Sequence, residues 1–155
     1  MEGVILRYAP SSWVRTTTTG QYEVSSSEFN EIAAELRNAG ISKTIKKINR
    51  YQNVYDFGQV LIREQHLTVM NPGTQYYRVR RYVVVEKCYL NDALEYNLDY
   101  RRINRSSEIT FSKSISVRSS SEVVLVVQII TDNKMASYVT PKNCADFFIE
   151  YIVEF

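Results

Sequence analysis

The chain has 155 residues and a mass of 18.0 kDa, which is the size of one compact domain, so we expect a single domain spanning residues 1–155. Apolar residues make up 45% and charged residues 23% of the chain, a composition that excludes disordered, collagen-like and coiled-coil proteins. The formal charge of +2 is too small to indicate a nucleic-acid or membrane partner by itself. Because the sequence has neither an uncharged apolar run of about 18 residues nor a signal-peptide pattern, we expect a cytoplasmic or other intracellular protein that does not bind membranes.

The sequence contains few residues that could bind zinc, and no Ser or Cys stands in a nucleophile-elbow context. Its two cysteines, Cys88 and Cys144, form no Cys-x-x-Cys pair, and His66 is the single histidine. We therefore predict two free, buried thiols, no zinc site and a strand position for His66. The glycine-rich loops that cradle phosphates are also missing from the sequence, which disfavours nucleotide binding of the usual kinds.

A helix at about residues 27–39 is the first predicted element. Ser25 and Glu28 stand at the spacing of a capping box, and Gly40 follows the last turn, where a left-handed residue can close a helix. Four apolar residues recur at the helical spacing: Phe29, Ile32, Ala33 and Leu36. The pattern predicts an amphipathic helix that buries this stripe.

Beyond about residue 43 the apolar residues alternate with polar ones, which indicates strands. The alternation predicts strands at about 75–87, 93–102, 107–118 and 122–131. The last of these is apolar on both faces, so we expect it to be the central strand. Its most buried residues are predicted to be Val124, Leu125, Val126 and Ile129. Short polar links between the strands favour antiparallel pairing.

The C-terminal segment fits two interpretations. Thr140 and Pro141 suit the start of a helix, and apolar residues behind them keep helical spacing, which predicts a helix at about 141–151. The residues from Phe147 to Phe155 also alternate and favour strands by type. We favour a helical start with extended final residues. The predicted fold class is α+β, mainly antiparallel sheet that can close into a barrel or tunnel, with an N-terminal and a C-terminal helix.

Arginines interleaved with tyrosines stand out in the segments YYRVRRY at 76–82 and YRRINR at 100–105. Guanidinium groups bind phosphate in a bidentate way and tyrosine rings stack on bases, so Arg78 and Arg80 are candidates for binding RNA or a polyphosphate. The alternative is a solvated sheet face on which arginines pair with nearby acids across the strands.

The order of predicted elements resembles the triphosphate tunnel metalloenzymes, and among them the RNA 5′-triphosphatase domains of large DNA-virus capping enzymes. The segment YEVS at 22–25 is similar to their first acidic strand, and IEYIVEF at 149–155 is similar to their last. The segments VLIRE at 60–64, YNLDYR at 96–101 and FSKSISVR at 111–118 are similar to their basic strands.

This resemblance implies a metal-dependent polyphosphate hydrolase. Its metal ligands would be Glu23, Glu150 and Glu154, holding Mg²⁺ or Mn²⁺, and its triphosphate would be held by Arg63, Arg101, Lys113 and Arg118. Three positions depart from the family's pattern. Ser25 and Gln128 stand where the family carries acids, and Ile152 interrupts the alternating acids of the last strand. Each missing carboxylate weakens the binding of a hard cation.

Three functional hypotheses follow. The one we favour is a non-catalytic, β-rich interaction or structural protein of a larger, viral assembly, with a protein partner or a second copy of itself and no cofactor. The abundance of tyrosine, 12 residues, fits this hypothesis, since tyrosine and arginine are enriched at protein interfaces. The alternatives are the triphosphatase-like hydrolase and an RNA-binding module that uses the Arg/Tyr-rich strands.

Overall fold

A computed structural model of the chain describes residues 1–98 and 109–155. In chain order the helices and strands are α1 (Glu2–Ile5), β1 (Thr19–Glu23), α2 (Ser26–Asn38), β2 (Lys47–Asn53), α3 (Val54–Met70), β3 (Tyr77–Glu86), α4 (Leu90–Glu95), β4 (Phe111–Ser112), β5 (Glu122–Thr131), β6 (Tyr138–Val139) and β7 (Phe147–Glu154). Single 3₁₀ turns occupy Lys87–Tyr89 and Cys144–Asp146. Within the described ranges, none of the helices has the length and apolar character needed to cross a membrane.

The strands form one seven-stranded sheet in the order β1-β2-β7-β5-β3-β4-β6, and every neighbouring pair is antiparallel. The predicted α+β class with a mainly antiparallel sheet is therefore confirmed. The sheet is open, with β1 at one edge and β6 at the other, so the predicted possibility of a closed barrel or tunnel is not realised.

Helices cover both faces of the sheet. On the first face, α2 packs over one apolar cluster, and α3 packs over a second cluster together with Trp13. On the second face, α4 packs over a third cluster together with Phe111. Side chains of β5 alternate between the faces: Val124 and Val126 lie on the first, and Leu125 on the second. The predicted central strand is confirmed, because β5 lies between β7 and β3 and these side chains are fully buried.

Helix α2 confirms the predicted N-terminal helix. The Ser25 hydroxyl accepts a hydrogen bond from the Glu28 backbone N–H, and Ile32 and Leu36 lie on the buried stripe. Gly40 has φ +112, a left-handed conformation that a residue with a Cβ rarely adopts. The chain can therefore leave the helix at this glycine and return toward the start of β2.

Helix α3 is a correction to the predicted run of strands after residue 43. The Asn53 side chain accepts hydrogen bonds from the backbone N–H groups of Tyr55 and Asp56, which caps the helix at its start. The segment 60–64, predicted to be a basic strand, and His66, predicted on a strand, both belong to this 17-residue helix. Phe57 and other apolar residues at helical spacing hold it against the sheet.

The C-terminal helix predicted at about 141–151 is wrong. Residues Phe147–Glu154 form β7, which lies between β2 and β5 and pairs with both. Only a 3₁₀ turn, capped by Asn143, precedes it. A helix here would lose two ladders of backbone hydrogen bonds and expose side chains that the sheet buries on both faces. Strand pairing therefore overrides the helical spacing.

Three further predictions are corrected. Residues 93–95 of the predicted strand 93–102 belong to helix α4, and residues 99–108 lie outside the described part of the chain. Of the predicted strand 107–118, the described portion contributes only the short β4. Cys88 and Cys144 are free, as predicted, but both are exposed and not buried. The predicted strand at 75–87 is confirmed as β3.

Candidate functional site

The three glutamates that the family resemblance marks as metal ligands do not converge. Glu150 lies on the first face of the sheet, under the helices. Glu23 is exposed on edge strand β1, and Glu154 forms an ion pair with Lys87 at 3.2 Å; the strand register places both on the second face. Among residues 1–98 and 109–155, no cluster of three or more His, Cys, Asp or Glu side chains could hold a metal ion.

Arg80 is saturated by acidic partners. Its Nε and Nη2 donate to the two carboxylate oxygens of Glu150, each at 2.8 Å, and its Nη1 donates to Glu35 at 2.9 Å. The hydrogen bonds to Glu150 are the main reason that the pKa of Arg80 is raised. A phosphate would have to displace two carboxylates from this guanidinium, so Arg80 is part of the protein's internal ion pairing.

A second pair continues the same polar layer across the sheet. Arg50 donates through Nε to Glu28 at 3.2 Å, and the Tyr151 hydroxyl donates to Glu28 at 2.7 Å. Burial by itself would raise the pKa of Glu28, but the bonds from Arg50 and Tyr151 outweigh burial and lower it. Burial is also the main cause of the raised pKa of Tyr151.

We call this polar layer the ionic seam. Its members are Glu28, Glu35, Arg50, Arg80, Glu150 and Tyr151. It separates the apolar cluster beneath α2 from the one beneath α3. Arg80 also lies over the ring of Tyr151, 5.6 Å from its centroid, which links the two ion-pair groups.

Two other predicted phosphate ligands are tied to acids as well. Arg63 on α3 donates to Asp146 at 2.8 Å, and the other Asp146 oxygen accepts the backbone N–H of Asn143. Arg78 on β3 forms an ion pair with Glu64 at 3.2 Å. These contacts fasten α3 to the sheet and to the turn before β7.

Lys113 and Arg118 differ from these paired arginines. Both are exposed, and neither forms a side-chain ion pair with any residue in the described ranges. Both lie in the segment that follows β4. In this segment the backbone N–H of Ile115 donates a hydrogen bond to the Ala39 carbonyl at 2.8 Å, beside a shallow open groove. The remaining predicted phosphate ligand, Arg101, lies outside the described residues.

The exposed side of α3 has a different composition from the rest of the surface. We call it the outer face of α3, and its residues are Tyr55, Gln59, Ile62, Gln65, His66, Thr68, Val69 and Met70. None of these eight residues is Asp, Glu, Lys or Arg, although such residues make up 23% of the chain. Lone exposed apolar residues are ordinary, but this is a whole helix face without a charged carboxylate, ammonium or guanidinium group.

Large apolar side chains follow this face in a line. Tyr55, Ile62 and Val69 are spaced by seven residues, which places them on one stripe, and they are 52%, 70% and 73% exposed. Short helix α1 flanks the stripe, because Ile5 packs on Gly58 so closely that a Cβ at Gly58 would lie 2.6 Å from it. Val4, also exposed, adds to the same side of the molecule.

The sequence analysis missed this surface because it assigned no helix to residues 54–70. Two signals could have found it. Asn53 and Asp56 stand at the start in positions typical of an N-cap and a first turn, and the Pro72-Gly73 pair follows the last turn. On such a helix, the stripe through Ile62 falls opposite the apolar residues that face the sheet.

Compared with protein-family models the chain matches no family, and compared with curated proteins it has no match.

Proposed function

We propose that the chain is a non-catalytic interaction protein that docks on a protein partner through the outer face of α3, as one component of a larger assembly. The observation that carries this proposal is the absence of Asp, Glu, Lys and Arg from that face, together with the exposed stripe of Tyr55, Ile62 and Val69 along it. Protein interfaces are depleted of charged residues at their centre and enriched in aromatic residues and methionine. The outer face of α3 shares this composition, with Tyr55 and Met70 toward its two ends.

The ion pairs of three arginines support a binding role over a catalytic one. Arg63, Arg78 and Arg80 each have a carboxylate partner within 3.2 Å, so binding a triphosphate there would break existing ion pairs. The partners of Arg63 and Arg80, Asp146 and Glu150, are buried, so each would be left as an uncompensated charge, which is costly. These contacts favour a structural role for the three arginines.

A phosphate-release assay tests the non-catalytic part of the proposal. Purified chain is incubated with an RNA 5′-triphosphate and either Mg²⁺ or Mn²⁺, and free phosphate is measured against a no-protein blank. We expect no release above the blank. Metal-dependent release that disappears in a folded Glu150→Gln variant would contradict the proposal and favour the hydrolase hypothesis.

A photo-crosslinking experiment tests the docking face. A photoreactive phenylalanine analogue replaces Ile62 in one sample and Met135 in a control, since Met135 is exposed to a similar degree, 67%, but lies outside α3. The samples are irradiated alone and in extract of the native cells. We expect adducts from position 62 only, and their loss when Val69→Glu is added. If position 62 yields no adduct in either setting, the docking proposal fails.

Binding of RNA at the edge near β4 is a second candidate function. Lys113 and Arg118 are exposed and available, and the loop after α2, joined to the same segment, exposes Lys43. Lysine and arginine side chains in such positions contact phosphates with strong salt dependence. Anisotropy with a labelled single-stranded RNA would show binding that weakens with salt and is lost in Lys113→Glu with Arg118→Glu. An unchanged signal in this double variant would count against the site.

A further inference from the structure

We infer that the partner on the outer face of α3 is a second copy of this chain, with the two α3 helices antiparallel about a two-fold axis at Ile62. This inference rests on the proposed function, because it names the occupant of the same face. The stripe is symmetrical about its centre, since Tyr55 and Val69 each lie seven residues from Ile62. In an antiparallel pair, Ile62 meets Ile62 of the second copy, and Tyr55 meets Val69.

The lack of charge on this face is compatible with a two-fold interface. A two-fold axis brings the same surface patch of each copy together, so a patch that carries charge of one sign would repel itself. The outer face of α3 avoids this repulsion because its exposed residues include no Asp, Glu, Lys or Arg. Helix α2 shows the contrast, since it exposes both Glu31 and Arg37.

The size of the face predicts a weak dimer. Helix α3 has 17 residues and is therefore about 25 Å long. Its eight exposed residues are fewer than the roughly 20 to 30 residues a side of a standard interface. We expect a dissociation constant on the order of tens of micromolar, in the range of transient complexes.

Sedimentation equilibrium on the full chain tests the inference. We expect the average mass to rise from 18.0 kDa toward twice that value as the concentration increases. Ile62→Glu should weaken the dimer at least about tenfold, because two carboxylates would meet at the axis without a compensating charge. The matched variant Met135→Glu should dimerise like the wild type. Circular dichroism confirms that both variants are folded.

Disulfide trapping then tests the orientation. The two exposed native thiols are removed by Cys88→Ser and Cys144→Ser, and single cysteines are introduced by Tyr55→Cys, Ile62→Cys or Val69→Cys. An antiparallel pair predicts rapid oxidation of the position-62 variant with itself and of the position-55 variant with the position-69 variant. Self-oxidation of the position-55 and position-69 variants in preference to their mixture would indicate a parallel pair and overturn the arrangement.

The outcomes separate this inference from the proposed function. One outcome is a chain that stays monomeric at all concentrations but gives, from position 62, a photo-adduct whose mass is not twice that of the chain. This outcome would overturn the second-copy inference and leave docking on a different protein intact. A chain without any adduct at position 62 would overturn both. Adducts of twice the chain mass that excess unlabelled Ile62→Glu chain suppresses as well as excess wild-type chain does would also count against the two-fold pairing.

Discussion

The ionic seam and the outer face of α3 lie on the same side of the sheet, but the seam consists mainly of charged residues and the outer face has none. The seam is rich in charged residues, yet its arginines are matched to acids at distances such as the 2.8 Å between Arg80 and Glu150. The outer face of α3 has no Asp, Glu, Lys or Arg among its eight exposed residues. The charged side chains of the seam are thus paired within the fold, whereas the exposed residues of the outer face of α3 carry no such groups.

This contrast shows why charge in a sequence is a weak guide to a ligand. Arg78 and Arg80 are typical phosphate-binding residues by type, but an arginine becomes available only if no acid of the fold reaches it first. In this chain Glu64, Glu35 and Glu150 reach them. The acids come from helices α2 and α3 and from strand β7, so their approach depends on the tertiary structure.

The largest expected effect comes from breaking the ionic seam. Glu150→Ala should destabilise the chain by about 3 kcal/mol, because Arg80 would lose its best-aligned partner within the fold. Chemical denaturation of wild type and variant measures the free energy of unfolding. The matched control is Glu31→Ala, which removes an acid 3.9 Å from the same arginine but with a side chain that is 64% exposed, and it should cost less than about 0.5 kcal/mol. Equal effects of the two substitutions would show that the seam contributes no more than surface ion pairs.

An intermediate effect is expected at Asp56, the acid in the first turn of α3. Burial raises its pKa from 3.8 to about 6. The folded chain therefore binds the proton of Asp56 more tightly than the unfolded chain does. The protonated carboxyl contributes its full stabilisation below pH 3.8, and this stabilisation is lost as the pH rises through about 6. Asp56→Asn should remove this pH dependence and stabilise the chain by about 1 to 2 kcal/mol at pH 7, since the helix N-terminus offsets part of the burial cost.

Urea denaturation between about pH 4 and pH 7.5 checks this result. Asp92→Asn is the control, because Asp92 is also an acid in the first turn of a helix but is exposed. If the two variants show the same pH profile, Asp56 is not buried as the structure shows.

The smallest expected effect on stability is at the outer face of α3. Ile62→Glu should change the free energy of unfolding of the monomer by no more than about 0.5 kcal/mol, because its side chain lies outside the apolar clusters. The measurement is made in dilute solution, where self-association does not contribute. Loss of several kcal/mol would show that Ile62 supports the fold, and the contrast between the two regions would disappear.

Local sequence patterns predicted the helices and strands for which the tertiary contacts favour the same conformation as the local pattern does. Helix α2 has a cap at Ser25, a stripe that includes Leu36 and a stop at Gly40, so each signal supports the others. Strand β5 is apolar on both faces and lies in the middle of the sheet, where such a strand is stable. The same pattern correctly predicted Val124 and Leu125 as fully buried residues.

For other elements, the sequence pattern alone could not distinguish a helix from a strand. The residues of β7 fit a helix and a strand equally well, and pairing with both β2 and β5 decided the outcome. Helix α3 was missed because the pattern beyond about residue 43 indicates strands, although buried residues such as Phe57 and Val60 recur at helical spacing. Its capping residue Asn53 was the better signal, because it satisfies two N–H groups at a helix start.

By itself, the sequence determined the α+β class, the antiparallel pairing, helix α2 and the central strand, because these depend on periodicity and capping between residues close in the chain. The tertiary structure decided the conformation of the C-terminal segment, the open edges of the sheet and the partner of each arginine. These depend on contacts between distant segments, such as the 70 residues that separate Arg80 from Glu150. Such pairs form only once the sheet has brought the strands together and the helices have packed on its face.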